Sequence, residues 1–137
     1  MGDGALSEAR ILVVEDEYIL ADELRSHLND AGAAVVGPVG TLHGALELID
    51  TAAPIHGAIL DAKLRDEMVY PVADRLEKEG IPYFFITGYD MSVIPSRFNH
   101  IGRFEKPMNL EKLCYEIGRL LNQRRGGSKD FSEIETR

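Results

Sequence analysis

Cysteine is nearly absent: Cys114 is the only one in 137 residues. No intrachain disulfide and no cysteine-built zinc site can therefore form. Its spacing after Leu110 and Leu113 places Cys114 on the buried face of a helix, as a small apolar residue. Long apolar runs are missing too. None approaches the ~20 residues needed to span a bilayer. The opening MGDGALSEAR lacks the basic and apolar regions of a signal peptide. A cytoplasmic protein without membrane contact is the expectation. Basic residues are in deficit, with 15 Lys and Arg against 23 Asp and Glu and a net charge of −8. That leaves no surplus to displace counterions from a phosphate backbone, which argues against direct DNA binding. The four histidines, His27, His43, His56 and His100, show no metal-ligand spacing. Surface or capping roles are expected for them.

The length of 137 residues and a hydrophobic fraction of 45% fit one domain with a single core. Short apolar runs alternate with helical patterns, as in βαβ units. Strands are expected at about Arg10–Val14, Ala34–Gly37, Ala58–Asp61, Tyr83–Thr87 and Ile101–Phe104. Runs this short and solidly apolar suit strands covered on both faces. Glu17–Ala31 carries Ile19, Leu20, Leu24 and Leu28 at helical spacing, and Gly32 stops it. Thr41 can cap a second helix and Asn109 a last one. Pro71 fits the first turn of a third, which ends at Gly80. Between Asp90 and His100, Pro95 opposes a regular helix, so a short or labile fourth helix is expected there. The folded unit is read as residues 10–122. Residues 1–9 read as an N-terminal extension and 123–137, QRRGGSKDFSEIETR, as a polar tail.

Each of four apolar runs finishes in a polar group. Ile11-Leu12-Val13-Val14 ends in Glu15 and Asp16, and Gly57-Ala58-Ile59-Leu60 ends in Asp61. Tyr83-Phe84-Phe85-Ile86 ends in Thr87, and Lys106 follows Arg103-Phe104-Glu105. In a parallel sheet these ends share one edge, where open α/β folds place their ligands. Carboxylates, a hydroxyl and an ammonium gathered there point to a divalent cation and a phosphoryl group. Each residue also has a plainer reading. Glu15-Asp16-Glu17 suit a helix N-terminus, Asp61 and Thr87 suit turns, and Lys106 suits a solvated surface.

The segments ILVVEDE, AILDAKL, FFITGYD and RFEKP, in that order, resemble the four signature segments of a response-regulator receiver domain. The resemblance spans about residues 10–122. It implies a CheY-like fold: a flavodoxin-like, doubly wound, five-stranded parallel sheet in the order 2-1-3-4-5. It implies a phosphoacceptor at Asp61 that takes a phosphoryl group from a kinase phosphohistidine, a signalling role rather than that of an enzyme. Self-catalysed phosphotransfer and autodephosphorylation are expected with it. Mg²⁺ is the implied cofactor, held by Asp16, Asp61 and the Lys63 carbonyl. Glu15 stands where the family often has aspartate, and its extra methylene suggests contact through a metal-bound water. Lys106 and Thr87 match the groups that bind phosphoryl oxygens, aided by backbone N–H groups near Ala62 and Gly88. A cis Lys106–Pro107 bond is implied as well. Ile19, Leu20, Glu23 and His27 match the kinase-docking face. Lys63 and Tyr89 stand where side chains set the phosphoryl lifetime.

One position departs from the common pattern. Arg103 stands where the family usually has an aromatic switch residue. Phe85-Ile86-Thr87-Gly88-Tyr89 instead resembles the Phe-X-Thr-Gly-Tyr ("FAT GUY") subgroup. Its members pair with kinases of the HWE/HisKA2 kind, so the implied partners are such a kinase or a histidine phosphotransfer protein. No DNA-binding or enzymatic output segment is legible after residue 122. A single-domain regulator that signals to an unidentified downstream protein, or serves as phosphate sink or relay, is expected. Two other classes compete with this reading. A Mg²⁺-dependent phosphoaspartyl hydrolase needs a second aspartate two positions past the nucleophile, and that position is Lys63. A phosphorylation-independent interaction module would have lost the acceptor or metal ligands, and none is lost.

Overall fold

The computed structural model describes the backbone of residues 6–52, 54–88 and 94–129, and side chains as far as residue 123. Five parallel strands form one sheet in the order β2-β1-β3-β4-β5. They are β1 (Arg10–Val14), β2 (Ala34–Val39), β3 (Gly57–Asp61), β4 (Tyr83–Thr87) and β5 (Arg103–Glu105). The helices are α1 (Tyr18–Asp30), α2 (Leu42–Thr51), α3 (Tyr70–Glu79) and α4 (Leu110–Lys129). This is the expected flavodoxin-like order. Adjacent strands β1 and β3 lie at the point where the winding reverses, the usual crevice for a ligand.

Alternation explains the solid apolar runs. Leu12 and Val14 join Leu60, Phe85 and the buried faces of α2 and α3 on one side of the sheet. Ile11 and Val13 join Ile59, Ile86, Leu24, Leu28 and the α4 residues Leu113, Ile117 and Leu121 on the other. Cys114 is buried with them, as expected. Period-two strands with both faces covered read as unbroken hydrophobic stretches.

The punctuation residues act as anticipated. Thr41 Oγ1 accepts from the Gly44 N–H at 3.0 Å, and Asn109 Oδ1 accepts from the Lys112 N–H at 2.9 Å. Pro71 lies in the first turn of α3, which Gly80 ends in a left-handed conformation at φ 71°. Among the described residues, no helix is long and apolar enough to cross a membrane.

Strand bounds differ from expectation at β2 and β5. β2 continues to Val39 because an irregularity inserts there: Leu12 pairs with Val36, but Val14 pairs with Val39. Gly37 takes φ 97°, and a Cβ on it would lie 2.9 Å from the Val39 nitrogen and 3.0 Å from the Val13 oxygen. Glycine alone meets both demands, and the edge position of β2 tolerates Pro38. The Gly37–Pro38 and Lys106–Pro107 bonds are both cis. β5 starts at Arg103 rather than Ile101, because the Ile101 N–H closes a turn on Phe98 O at 2.9 Å. Of the short or labile fourth helix, the described residues hold one 3₁₀ turn, Ser96–Phe98, directly after Pro95. Tyr89 and residues 90–93 lie outside the described residues.

The ends differ too. Leu6 is 2% exposed and Ala9 1% exposed, and the Leu6 N–H donates to Ala31 O at 2.9 Å. Leu6 and Ala9 thus pack on the domain, while Ser7 and Glu8 between them are exposed. Leu6 rests against Gly118, where a Cβ would approach it to 3.5 Å, and burying such a leucine contributes about 2 kcal/mol. At the other end α4 runs to Lys129, so residues 123–129 of the expected tail continue its helical backbone.

Candidate functional site

The registers bring the polar strand ends together. Val14 pairs with Leu60, Asp61 with Ile86, and Thr87 with Glu105. Glu15, Asp61 and Thr87 are each buried, at 2%, 4% and 3% exposure. Lys106 follows β5, and its N–H donates to Thr87 O at 2.8 Å. Its ammonium then reaches Asp61 Oδ2 at 3.0 Å.

Three carboxylates meet here. Oxygens of Glu15, Asp16 and Asp61 all lie within 4.8 Å of one another. Glu15 Oε2 accepts from the Glu17 N–H at 2.8 Å. Its other oxygen, Oε1, is buried without a hydrogen bond and lies 3.6 Å from Lys106 Nζ. Burial, followed by the negative charge of Asp61, pushes the Glu15 carboxyl up to about 8. Burial alone would lower the Lys106 ammonium, but its hydrogen bond to Asp61 and the charges of Glu15, Asp61 and Glu17 outweigh that and raise it.

Such a donor set fits a hard divalent cation. All the side-chain donors are oxygens, and one buried carboxylate oxygen lacks a partner. A cation would also offset the like charges of this cluster, which a single lysine leaves in excess. The turn after β2 comes close on the same side, since a Cβ at Gly40 would lie 3.3 Å from Asp16 Cα and Cβ.

Over Asp61 opens a cleft of about 760 Å³ lined by Asp16, Glu17, Tyr18, Ile19, Lys63, Arg65, Gly88 and Lys106, among others. The Lys63 N–H faces Asp61 Oδ1 at 3.3 Å. This corrects one expectation. The Ala62 N–H does not face the site, because it donates to Ile86 O at 2.9 Å and extends the sheet ladder by one residue. In an alternating strand the next N–H, that of Lys63, turns the other way.

The remaining candidates sit as follows. The Lys63 side chain is exposed, and Tyr89 is outside the described residues. Arg103 is exposed on β5, while Phe104 packs edge-on to Phe84 at 5.4 Å. No buried aromatic replaces the missing switch residue at that position. On α1, Ile19 is 72% exposed, Glu23 is exposed, and Leu20 and His27 are half-buried. Leu20 packs partly on the core, and Leu24 and Leu28 lie fully within it. The histidines bind locally. His56 Nδ1 accepts from the Arg10 N–H at 2.9 Å, and His100 Nε2 meets Glu77 at 2.7 Å.

Tyr18, Glu17 and Arg65 line the cleft but are not among the expected site residues. Tyr18 is 85% exposed beside Ile19. Glu17 was read only as a helix-start residue, yet its Oε2 lies 3.4 Å from Lys106 Nζ. Its place directly after the acidic pair was the one available signal.

No family model and no curated protein matched the chain. Solved structures did. The solution structure of SdrG from Sphingomonas melonis is 35% identical, with TM-score 0.73, over 83% of this chain and 97% of that one. A second solution structure of SdrG, in its BeF3-activated conformation, is 34% identical, with TM-score 0.69, over 84% of this chain and 98% of that one. A CheY-like response regulator receiver domain protein from Methanospirillum hungatei is 26% identical, with TM-score 0.77, over 87% and 98% of the two chains. A response regulator receiver protein from Sinorhizobium medicae is 27% identical, with TM-score 0.72, again over 87% and 98%. Sheet order, the acidic cluster and these likenesses agree: the chain belongs to the response-regulator receiver family.

Proposed function

We propose that this receiver accepts a phosphoryl group on Asp61 from a phosphohistidine of a histidine kinase or phosphotransfer protein. The observation that carries the reading is the Asp61 carboxylate itself. It is buried, held by Lys106 at 3.0 Å, and grouped with two further carboxylates at the edge of a parallel sheet. In the transfer an Asp61 oxygen forms a new bond to phosphorus. The phosphorus–nitrogen bond of the phosphohistidine breaks, and its electron pair returns to the imidazole.

Two anions must meet for this to happen. Asp16, Asp61 and the Lys63 carbonyl would hold Mg²⁺, with Glu15 beside them, and the ion would supply positive charge against the meeting anions. Lys106 supplies the rest as a point charge. The Thr87 hydroxyl and the N–H groups of Lys63 and Gly88 would donate to phosphoryl oxygens. Incubation with a phosphorylated kinase should transfer label in a Mg²⁺-dependent manner. Label that ignores a chelator, or none from any kinase of the host, would contradict the reading.

Docking is assigned to α1, from its start to His27 in its last turn. Ile19 lines the cleft, Leu20, Glu23 and His27 follow along the same helix, and Tyr18 adds apolar surface. A kinase of the HWE/HisKA2 kind is the proposed donor. It rests on the Phe85-Ile86-Thr87-Gly88-Tyr89 segment. Output is proposed to pass through protein contacts formed after β4.

Lifetime of the phosphoryl group is assigned in part to Lys63. Its exposed side chain lines the cleft two residues after Asp61, where it can limit the approach of water. Lys63→Ala should change the decay rate of phosphorylated protein severalfold. Mg²⁺ affinity should stay unchanged, because only the backbone carbonyl of this residue is a ligand. The check is decay of label after the kinase is removed. An unchanged rate would assign the lifetime elsewhere.

A further inference from the structure

Lys106 is shared among three carboxylates. Its Nζ lies 3.0 Å from Asp61 Oδ2, 3.4 Å from Glu17 Oε2 and 3.6 Å from Glu15 Oε1. Asp61 and Glu15 have roles above, and Glu17 has none. Glu17 is the N-cap of α1, with extended backbone at φ −83° and ψ 112°, yet its side chain makes no cap bond. An N-cap side chain ordinarily turns back to the free N–H groups of the first turn. Here Glu15 Oε2 fixes the Glu17 N–H at 2.8 Å, and the Glu17 carboxylate extends to the ammonium instead. Side-chain exposure is 62% for Glu17 and 20% for Lys106, so the contact lies at the mouth of the cleft.

We propose that Glu17 is a positioning residue that holds the Lys106 ammonium and competes for it with an incoming phosphoryl-type anion. The inference rests on the reading of the site given above. An ammonium has three donors and no preferred plane, so it moves readily between acceptors. A phosphoryl oxygen that takes Lys106 must draw it from Asp61 and from Glu17. Glu17 also places a negative charge where the anion enters. Its exposure screens that charge, so the effect is severalfold rather than many orders of magnitude.

The sign of the effect separates this role from a structural one. Removing the Glu17 charge should strengthen binding of an anion and leave a cation bound equally or more weakly. Damage to the site would weaken both. Glu17→Gln, Glu17→Asp and the distant control Glu47→Gln are titrated beside the wild type. The probes are Mg²⁺ alone, then beryllofluoride at saturating Mg²⁺, followed by amide chemical shifts. Glu17→Gln should bind beryllofluoride roughly three- to fivefold tighter than the wild type, without any gain for Mg²⁺. Glu17→Asp keeps the charge and should stay near the wild type, as should Glu47→Gln. The advantage should shrink at high salt.

If the wild type binds beryllofluoride and Glu17→Gln binds it equally or more weakly, the proposal is overturned. A gain that Glu47→Gln shares overturns it too, because net charge would then explain it. If the wild type shows no Mg²⁺-dependent beryllofluoride binding, the reading of the site fails and this inference with it.

Discussion

Asp61→Asn should accept no phosphoryl group, a complete loss under conditions that label the wild type. The amide keeps the size of the side chain and can still meet Lys106, but it is no nucleophile. The fold should survive the change. Asp61 contributes to the rise of the Glu15 carboxyl, second only to burial, so neutralising it relieves repulsion in the cluster. Labelling with phosphorylated kinase and a thermal melt on the same samples check both halves. Label on the folded variant would move the acceptor elsewhere.

Mg²⁺ should stabilise the protein strongly, and that gain should depend on the acidic pair. By linkage, a ligand at a hundred times its Kd contributes about 2.7 kcal/mol. For a domain of this size that is a rise of roughly 10 °C in Tm. Asp16→Ala should weaken Mg²⁺ by well over tenfold, or more than about 1.4 kcal/mol. Glu15→Gln should weaken it less. The metal-free form of Glu15→Gln should be at least as stable as the metal-free wild type. Glu15 Oε1 is buried without a hydrogen bond, and burial already opposes its ionisation. Melting curves with and without Mg²⁺ read these effects. A Glu15 loss equal to or larger than that of Asp16 would make Glu15 the stronger ligand.

The sheet and its polar edge were legible because their signals are local. β1 at Arg10–Val14 and β4 at Tyr83–Thr87 have the bounds that their apolar runs mark. Asp61 closes β3 as its run ends, and the parallel order then brings it to Asp16 and Lys106 without further information. Other features depend on distant partners. Leu6 is the one large apolar side chain between Gly2 and Arg10, so it has no period. Its burial depends on α1 and α4 leaving a slot beside Gly118. The continuation of β2 past Gly37 depends on a register shift against β1. The N–H that faces Asp61 is that of Lys63 and not of Ala62, because the Ala62 N–H bonds across to Ile86 O. The direction of the Glu17 side chain was equally hidden, since it follows from how Glu15 folds back on the Glu17 N–H.

The central claim is that the Asp61 carboxylate carries the phosphoryl group. Borohydride converts an acyl phosphate of aspartate to homoserine, so it marks the acceptor permanently. Protein phosphorylated by a kinase in Mg²⁺ is reduced this way, digested, and sequenced by mass spectrometry. Homoserine at position 61, and at no other aspartate, is the predicted result. An unreduced Asp61 beside a converted Asp16, or label that resists borohydride altogether, would contradict the account.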